Sequence, residues 1–422
     1  MNYNMYNYLR LTGVLILYFL VIIISEAGFV TESTSAVLLL LMTILVVIYY
    51  SSNNLSDYGF FALLMTPYMS LNIVYMLNEN VVYSKLSSVM LLGLIVFFTV
   101  YRQLVINSSS TSIHSGMMKV VIEGKILKCH FLIFVALILL KIISLIPSAD
   151  LLYKAIKLMF GNVFVIVFYA LLFAILSSSV KKSSIVVSLF MALVITFLNN
   201  YSVSSVSRFS FLQLALLVFF SFYARFNKSL SVDKYLFVFL ISIVLFFSGY
   251  FIHSGLRFGG DSLIFKGAVD IIEYIDMSAN YQPLMPFFNG GGILIPDGLW
   301  ELIGDKPKAF NPSAFYIEHV MGLDPNQYPW GVGVSSFGAG YIYGGYLGVI
   351  FLFSMLAVVY AKFKNYACNP FSIGVVIYLN VLLVFAMIRM DESFIFGTWI
   401  VSIPVLFVFI KKFKTLFQEL NN

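Results

Sequence analysis

Four cations in this chain are placed where they can do chemistry: Arg208, Arg257, Arg389 and Lys141. Arg208 lies in YSVSSVSRFSFL (201–212), where a Ser-rich run meets an apolar one. A guanidinium binds phosphate oxygens bidentately, and neighbouring hydroxyls add donors. The competing reading is a side chain that merely snorkels out of an apolar layer. Arg257 stands in HSGLRFGGDS (253–262), where two glycines allow a ligand close to the backbone. Arg389 stands in IRMDES (388–393), with Asp391 and Glu392 as ready ion-pair partners. Lys141 falls inside an apolar run, near its end, where a charge is costly and points to function unless it reaches water. Converging at one level, these cations would suit a diphosphate. For proton transfer the candidates are Glu318 and His319, side by side in NPSAFYIEHVMG (311–322), and then Asp261 near Arg257. A Glu–His pair on a solvated helix can equally be structural. The chain shows neither HExxH nor another metal-ligand spacing, so a metal site is not expected.

The elements that carry these residues are apolar. Hydrophobic residues make up 61% of the chain, charged residues 10%, and the mean hydropathy is +0.96. That composition predicts an all-α polytopic membrane protein, since a helix needs about 20 apolar residues to cross a bilayer. Twelve spans are expected, at roughly 11–25, 35–50, 59–77, 88–106, 130–147, 158–177, 183–198, 209–224, 234–252, 337–360, 371–388 and 395–410. The runs are too long for strands and lack the alternation of a membrane barrel. No A-x-A site follows the first run, so an uncleaved helix is expected there rather than a signal peptide.

One polar stretch interrupts the pattern, dividing the chain into 1–252, 253–336 and 337–422. It holds nine of the nineteen acidic residues and only four cations. With a cytoplasmic N-terminus, the inner side holds fifteen Lys and Arg and the outer side six outside the long loop. The positive-inside rule then places both termini in the cytoplasm and the loop outside. The net charge of +6 follows from that bias and does not point to nucleic acid. Cys129, Cys368, His114 and His130 are all expected on the cytoplasmic side, so no disulfide staples the loop. Within it, Gly259–Ser262 reads as a turn into a helix carrying Phe265, Ala268, Val269, Ile272 and Ile275 on one face. Asn311-Pro312 starts a second helix that stops at Gly322.

Two elements resemble the O-antigen polymerases of the Wzy type, which polymerise bacterial surface-polysaccharide repeat units. One is the Ser207-Arg208 entry into a span. The other is GVGVSSFGAGYIYGGYLG (331–348), similar to the family's G-E-x-Y-x-N-F-G-x-x-G at Gly338, Tyr341, Gly345 and Gly348. The chain departs from it at Ala339, Tyr343 and Gly344, so an acidic role at 339 does not carry over. The layout of spans and loop is similar over the whole chain. The resemblance implies a GT-C-like glycosyltransferase of the bacterial cytoplasmic (inner) membrane, without cofactor or metal. It would join undecaprenyl-diphosphate-linked oligosaccharide units into O-antigen or capsule. Arg208, Arg257, Arg389 and Lys141 would hold the diphosphate, Glu318, His319 or Asp261 would take the acceptor proton, and Trp300, Tyr316, Tyr328 and Trp330 would stack on sugars. Membrane lipid surrounds such an enzyme, and a polysaccharide chain-length regulator is left open as a partner. The rival readings are an O-antigen ligase, for which a loop histidine such as His319 is usual, and a lipid-linked oligosaccharide flippase.

Overall fold

The computed structural model describes residues 84–105, 124–146, 162–177, 182–200, 262–278, 312–324, 334–365, 369–389 and 402–419, with isolated positions at 214, 217, 218 and 221. Among these the chain is helical, without a strand. The helices are α1 (Ser84–Val105), α2 (Gly124–Ile143), α3 (Asn162–Ser177), α4 (Lys182–Asn200), α5 (Ser262–Met277), α6 (Pro312–Phe315), α7 (Ser336–Ile342), α8 (Gly345–Asn365), α9 (Pro370–Arg389) and α10 (Ser402–Glu419). Three of them are long and apolar enough to cross a membrane, over Ser88–Val105, Gly124–Ile143 and Gly345–Asn365. Shorter apolar helices cover Val163–Ser177, Lys182–Leu198 and Pro370–Leu379. The spans expected at 11–25, 35–50, 59–77 and 234–252 lie outside the described residues, as does most of 209–224.

Two packed groups share α9. In the first, α1 and α8 run parallel. Ser88 Oγ lies 2.9 Å from the Tyr346 hydroxyl. Further along, Gly93 faces Phe353, and the Tyr101 and Tyr360 rings lie 4.9 Å apart. In the second group, α3 is almost wholly buried between α2, α4 and α9. There α3 and α9 run antiparallel, with Tyr169 stacked on Tyr378 at 5.2 Å and Gly374 pressed onto the Ala170 backbone. The outward faces of α2 and α4 expose Phe131, Leu132, Phe190 and Phe197, a surface suited to acyl chains rather than water.

Three boundaries differ from the sequence reading. First, α2 begins at Gly124 rather than 130, so Lys125 and Lys128 ride on the helix. His130, expected as a cytoplasmic residue, is fully buried, its ring 4.4 Å from Phe168. Second, α10 continues past 410 to Glu419: Lys411 and Lys412 are exposed, whereas Phe413 stays buried, stacked on Phe371 of α9 at 4.3 Å. Third, the expected span 337–360 is broken in two at Tyr343–Gly345. Gly345 takes φ +59°, a left-handed conformation that glycine adopts without penalty. The chain folds back there so tightly that Gly340 and Gly348 meet backbone to backbone.

The break makes α7 and α8 a tight antiparallel hairpin. The start of α7 is deep: Phe337 is fully buried and stacks on Phe353 at 4.8 Å, beside Gly93. Gly93 lies about 7.5 Å along α1 from Ser88, at 1.5 Å per residue. From that depth α7 climbs to Tyr341, which meets Tyr346 edge-on at the helix ends. Val334, Ser335 and Ser336 are also fully buried, and Ser335 caps α7 by accepting from the Gly338 amide at 3.4 Å. Irregular backbone at such depth is tolerable only where protein encloses it. At the start of α9 the cap is reciprocal: Asn369 Oδ1 accepts from the Ser372 amide at 2.8 Å, and Ser372 Oγ accepts from the Asn369 amide at 3.1 Å.

Candidate functional site

The loop helix α5 has the amphipathic pattern its sequence predicts. Ala268, Ile271 and Ile272 are buried, whereas Glu273, Asp276 and Met277 face out. It is anchored where Ala268 packs closely against Gly338 of α7. This anchoring sets its two aspartates against other elements.

Asp276, in the last turn of α5, is the meeting point of three segments far apart in sequence. Lys85 from the first turn of α1 forms an ion pair with its Oδ2. The Tyr341 hydroxyl donates to its Oδ1 at 2.9 Å. Lys85 Nζ also lies 5.8 Å from the Tyr341 ring centre, over its face. The Ser88–Tyr346 hydroxyl pair completes the cluster.

Asp270, one and a half turns earlier, accepts from the Tyr316 hydroxyl at 2.9 Å. This bond ties the second loop helix to the first. That second helix begins at Pro312, as its sequence predicts, but after Phe315 it widens into a π turn over Tyr316–Val320. It ends at Gly322, where φ is +68°. Burial, and then the neighbouring Asp270 carboxylate, raise the Tyr316 phenol above its ordinary value, so it stays a donor.

The sequence candidates fall into three sets. Glu318 and His319 both lie on the π turn, Glu318 half-buried and His319 exposed. The His319 ring sits 4.6 Å from Phe315 and 6.4 Å from Tyr274 of α5, so it borders the α5 cluster. Tyr316 is buried, with its hydroxyl committed to Asp270. Lys141 lies in the last turn of α2, in the other packed group, and Arg389 is the last residue of α9. Asp261, Arg208, Arg257, Trp300, Tyr328 and Trp330 lie outside the described residues. Among the described residues no three His, Cys, Asp or Glu side chains gather as metal ligands would.

Lys85, Asp270, Asp276, Ser88, Tyr341 and Tyr346 were not singled out as site residues by sequence reasoning. The available signal was the spacing of Asp270 and Asp276 on the polar side of an amphipathic helix, together with Tyr341 inside the glycine-rich motif.

Charge is divided between the two ends of the bundle. Arg102 closes α1, and Lys362 and Lys364 close α8, alongside it. Phe363 stacks on Phe407 at 5.4 Å, and one turn further on α10 carries Lys411 and Lys412. The acids and phenols of the cluster gather at the opposite end, around Lys85. No protein-family model, curated protein or solved structure matches the chain.

Proposed function

We propose that the chain is a metal-independent membrane glycosyltransferase. It polymerises undecaprenyl-diphosphate-linked oligosaccharide repeat units into O-antigen or capsular polysaccharide at the outer leaflet of the bacterial cytoplasmic membrane. The observation that carries this reading is the division of charge along the bundle. An end that gathers Arg102, Lys362, Lys364, Lys411 and Lys412 is what the positive-inside rule asks of a cytoplasmic face. The opposite end then faces outward and carries the loop helices, with carboxylates and hydroxyls able to bind sugar hydroxyls.

In this mechanism the acceptor hydroxyl attacks the anomeric carbon of the donor glycan, and the lipid diphosphate leaves. Arg208, Arg257 and Arg389 stabilise the charge developing on the diphosphate, where preorganised donors are most effective. Glu318 or His319 takes the proton from the acceptor hydroxyl, from a helix held beside the α5 cluster. The exposure of His319 on a loop helix also suits the ligase reading, which uses the same donor with another acceptor.

Deletion of the gene followed by gel analysis of the glycan separates the two. Single-repeat caps on the lipid anchor are expected. Loss of all surface glycan with accumulation of lipid-linked polymer would replace this reading with a ligase. Arg208→Ala and Arg257→Ala are expected to stop chain growth at unchanged protein level, and normal ladders from both would remove them from the mechanism.

A further inference from the structure

We infer that Lys85 and Asp276 are positioning residues for the proposed reaction: their ion pair sets the placement of both loop helices, and through them of Glu318 and His319. The inference rests on the polymerase reading only for what the placed residues do; the mechanical coupling stands on contacts alone.

The contacts form a chain. Midway along, α5 is fixed firmly, because Ala268 packs closely against Gly338 and Ile271 and Ile272 are buried. In its last turn the fixings are polar and wet: the side chains of Lys85 and Asp276 are 43% and 36% exposed. Ion pairs so open to water hold weakly, and here the Tyr341 hydroxyl adds a charge-assisted bond to the same carboxylate. A helix anchored midway and lightly fastened in its last turn loses the position of that turn when the fastening goes.

The second loop helix is fastened to this one. Tyr316 donates to Asp270, Phe315 meets Tyr274 edge-on at 6.2 Å, and His319 stacks beside Tyr274. Glu318 and His319 sit on the π turn directly after Tyr316, and His319 rests beside Tyr274, between the anchor and Asp276, so movement of the last turns of α5 carries them with it. A π turn aims its side chains differently from an α-helical turn, and such turns recur at functional sites. A displacement of the order of 1 Å at a reacting group is enough to slow a reaction about a hundredfold. A weak pair on a distant helix can therefore govern the rate without touching substrate.

The test compares Lys85→Met, Asp276→Asn and the reversed pair Lys85→Asp with Asp276→Lys in the full-length protein. Each single variant is expected to speed amide hydrogen exchange at least fivefold in both 262–277 and 312–321, leaving 162–177 unchanged. Chain growth on lipid-linked repeat units is expected to fall at least tenfold, with the loss in kcat rather than KM. The reversed pair is expected to recover protection in both segments and most of the rate. Unchanged exchange in 312–321 for both single variants would overturn the coupling. Faster exchange with undiminished chain growth would overturn the positioning role. A wild-type protein that makes no polymer would sink the polymerase reading instead, while the exchange data would still decide whether the two helices move together.

Discussion

The hairpin of α7 and α8 makes a sharp prediction at Gly348. A Cβ built there would lie 2.2 Å from the Gly340 carbonyl oxygen and 2.9 Å from the Tyr343 backbone. An ordinary contact needs 3.4 Å or more, so Gly348→Ala must push α7 from α8 by about 1 Å. Both obstructing groups are backbone, so no rotamer change relieves them. Overpacking a core typically costs about 1–3 kcal/mol, and a backbone clash on this scale belongs at or above the upper end. The change also moves Tyr341, which sits between Gly340 and the turn and donates to Asp276. Gly348→Ala is therefore expected to lower the unfolding temperature in detergent by several degrees and to speed amide exchange over 336–342. Gly124→Ala is the control: a Cβ there meets nothing within 4 Å, and stability should hold or rise slightly. If Gly348→Ala matched wild type in both measurements, the close backbone contact and the break at Gly345 would both be wrong.

Three further outcomes follow from the same contacts. At Gly93 a Cβ would come within 3.1 Å of the Phe337 and Phe353 rings, which can shift. Gly93→Ala should cost about 1 kcal/mol and Gly93→Leu about 3 kcal/mol or more by thermal unfolding, separating α7 from α1. Tyr316→Phe removes the bond to Asp270 and should weaken docking of the second loop helix by about 1.5 kcal/mol, read as faster exchange in 312–321. Its pH dependence has a definite sign. A phenol raised in the folded state contributes fully below its unfolded value, so docking should be flat through neutral pH and weaken only above about pH 10. In Tyr316→Phe that alkaline loss should disappear. Asn369→Ala breaks the reciprocal cap of α9 and should cost about 1 kcal/mol, with faster exchange confined to its first turn.

How much of this was legible in the residues depends on the kind of signal. The loop helix α5 was readable because Ala268, Val269 and Ile272 repeat at helical spacing among acids, and the buried face follows them. The start of the second loop helix was readable from Asn311-Pro312 and its stop from Gly322. The break in YIYGGYLG was not, because Tyr, Ile, Leu and Gly suit one continuous apolar helix as well as two. What decides it is tertiary: the reversal is stable only because Gly340 and Gly348 let two backbones touch. Hydropathy also cut α2 and α10 short at their lysines, although a helix leaving an apolar layer has no reason to end there.

The candidate site was less legible for a related reason. Glu318 and His319 were candidates by residue type and neighbourhood, and the structure sets them on a π turn beside α5. Lys85 was one outward cation among several, and nothing near it in sequence announces a partner 191 residues away. Asp276 and Tyr341 sat on separate helices with no shared motif. Such a cluster exists only once α1, α5 and α7 are brought to one end of the bundle, and the turn between α7 and α8 is what brings Tyr341 there. The glycines that resemble a family motif therefore have a structural role that needs no contact with substrate. They let α7 pack back along α8 as far as Phe337, and the turn places a phenol against the Asp276 carboxylate of α5. A glycine-rich stretch of this kind is better read as the frame for a site than as the site.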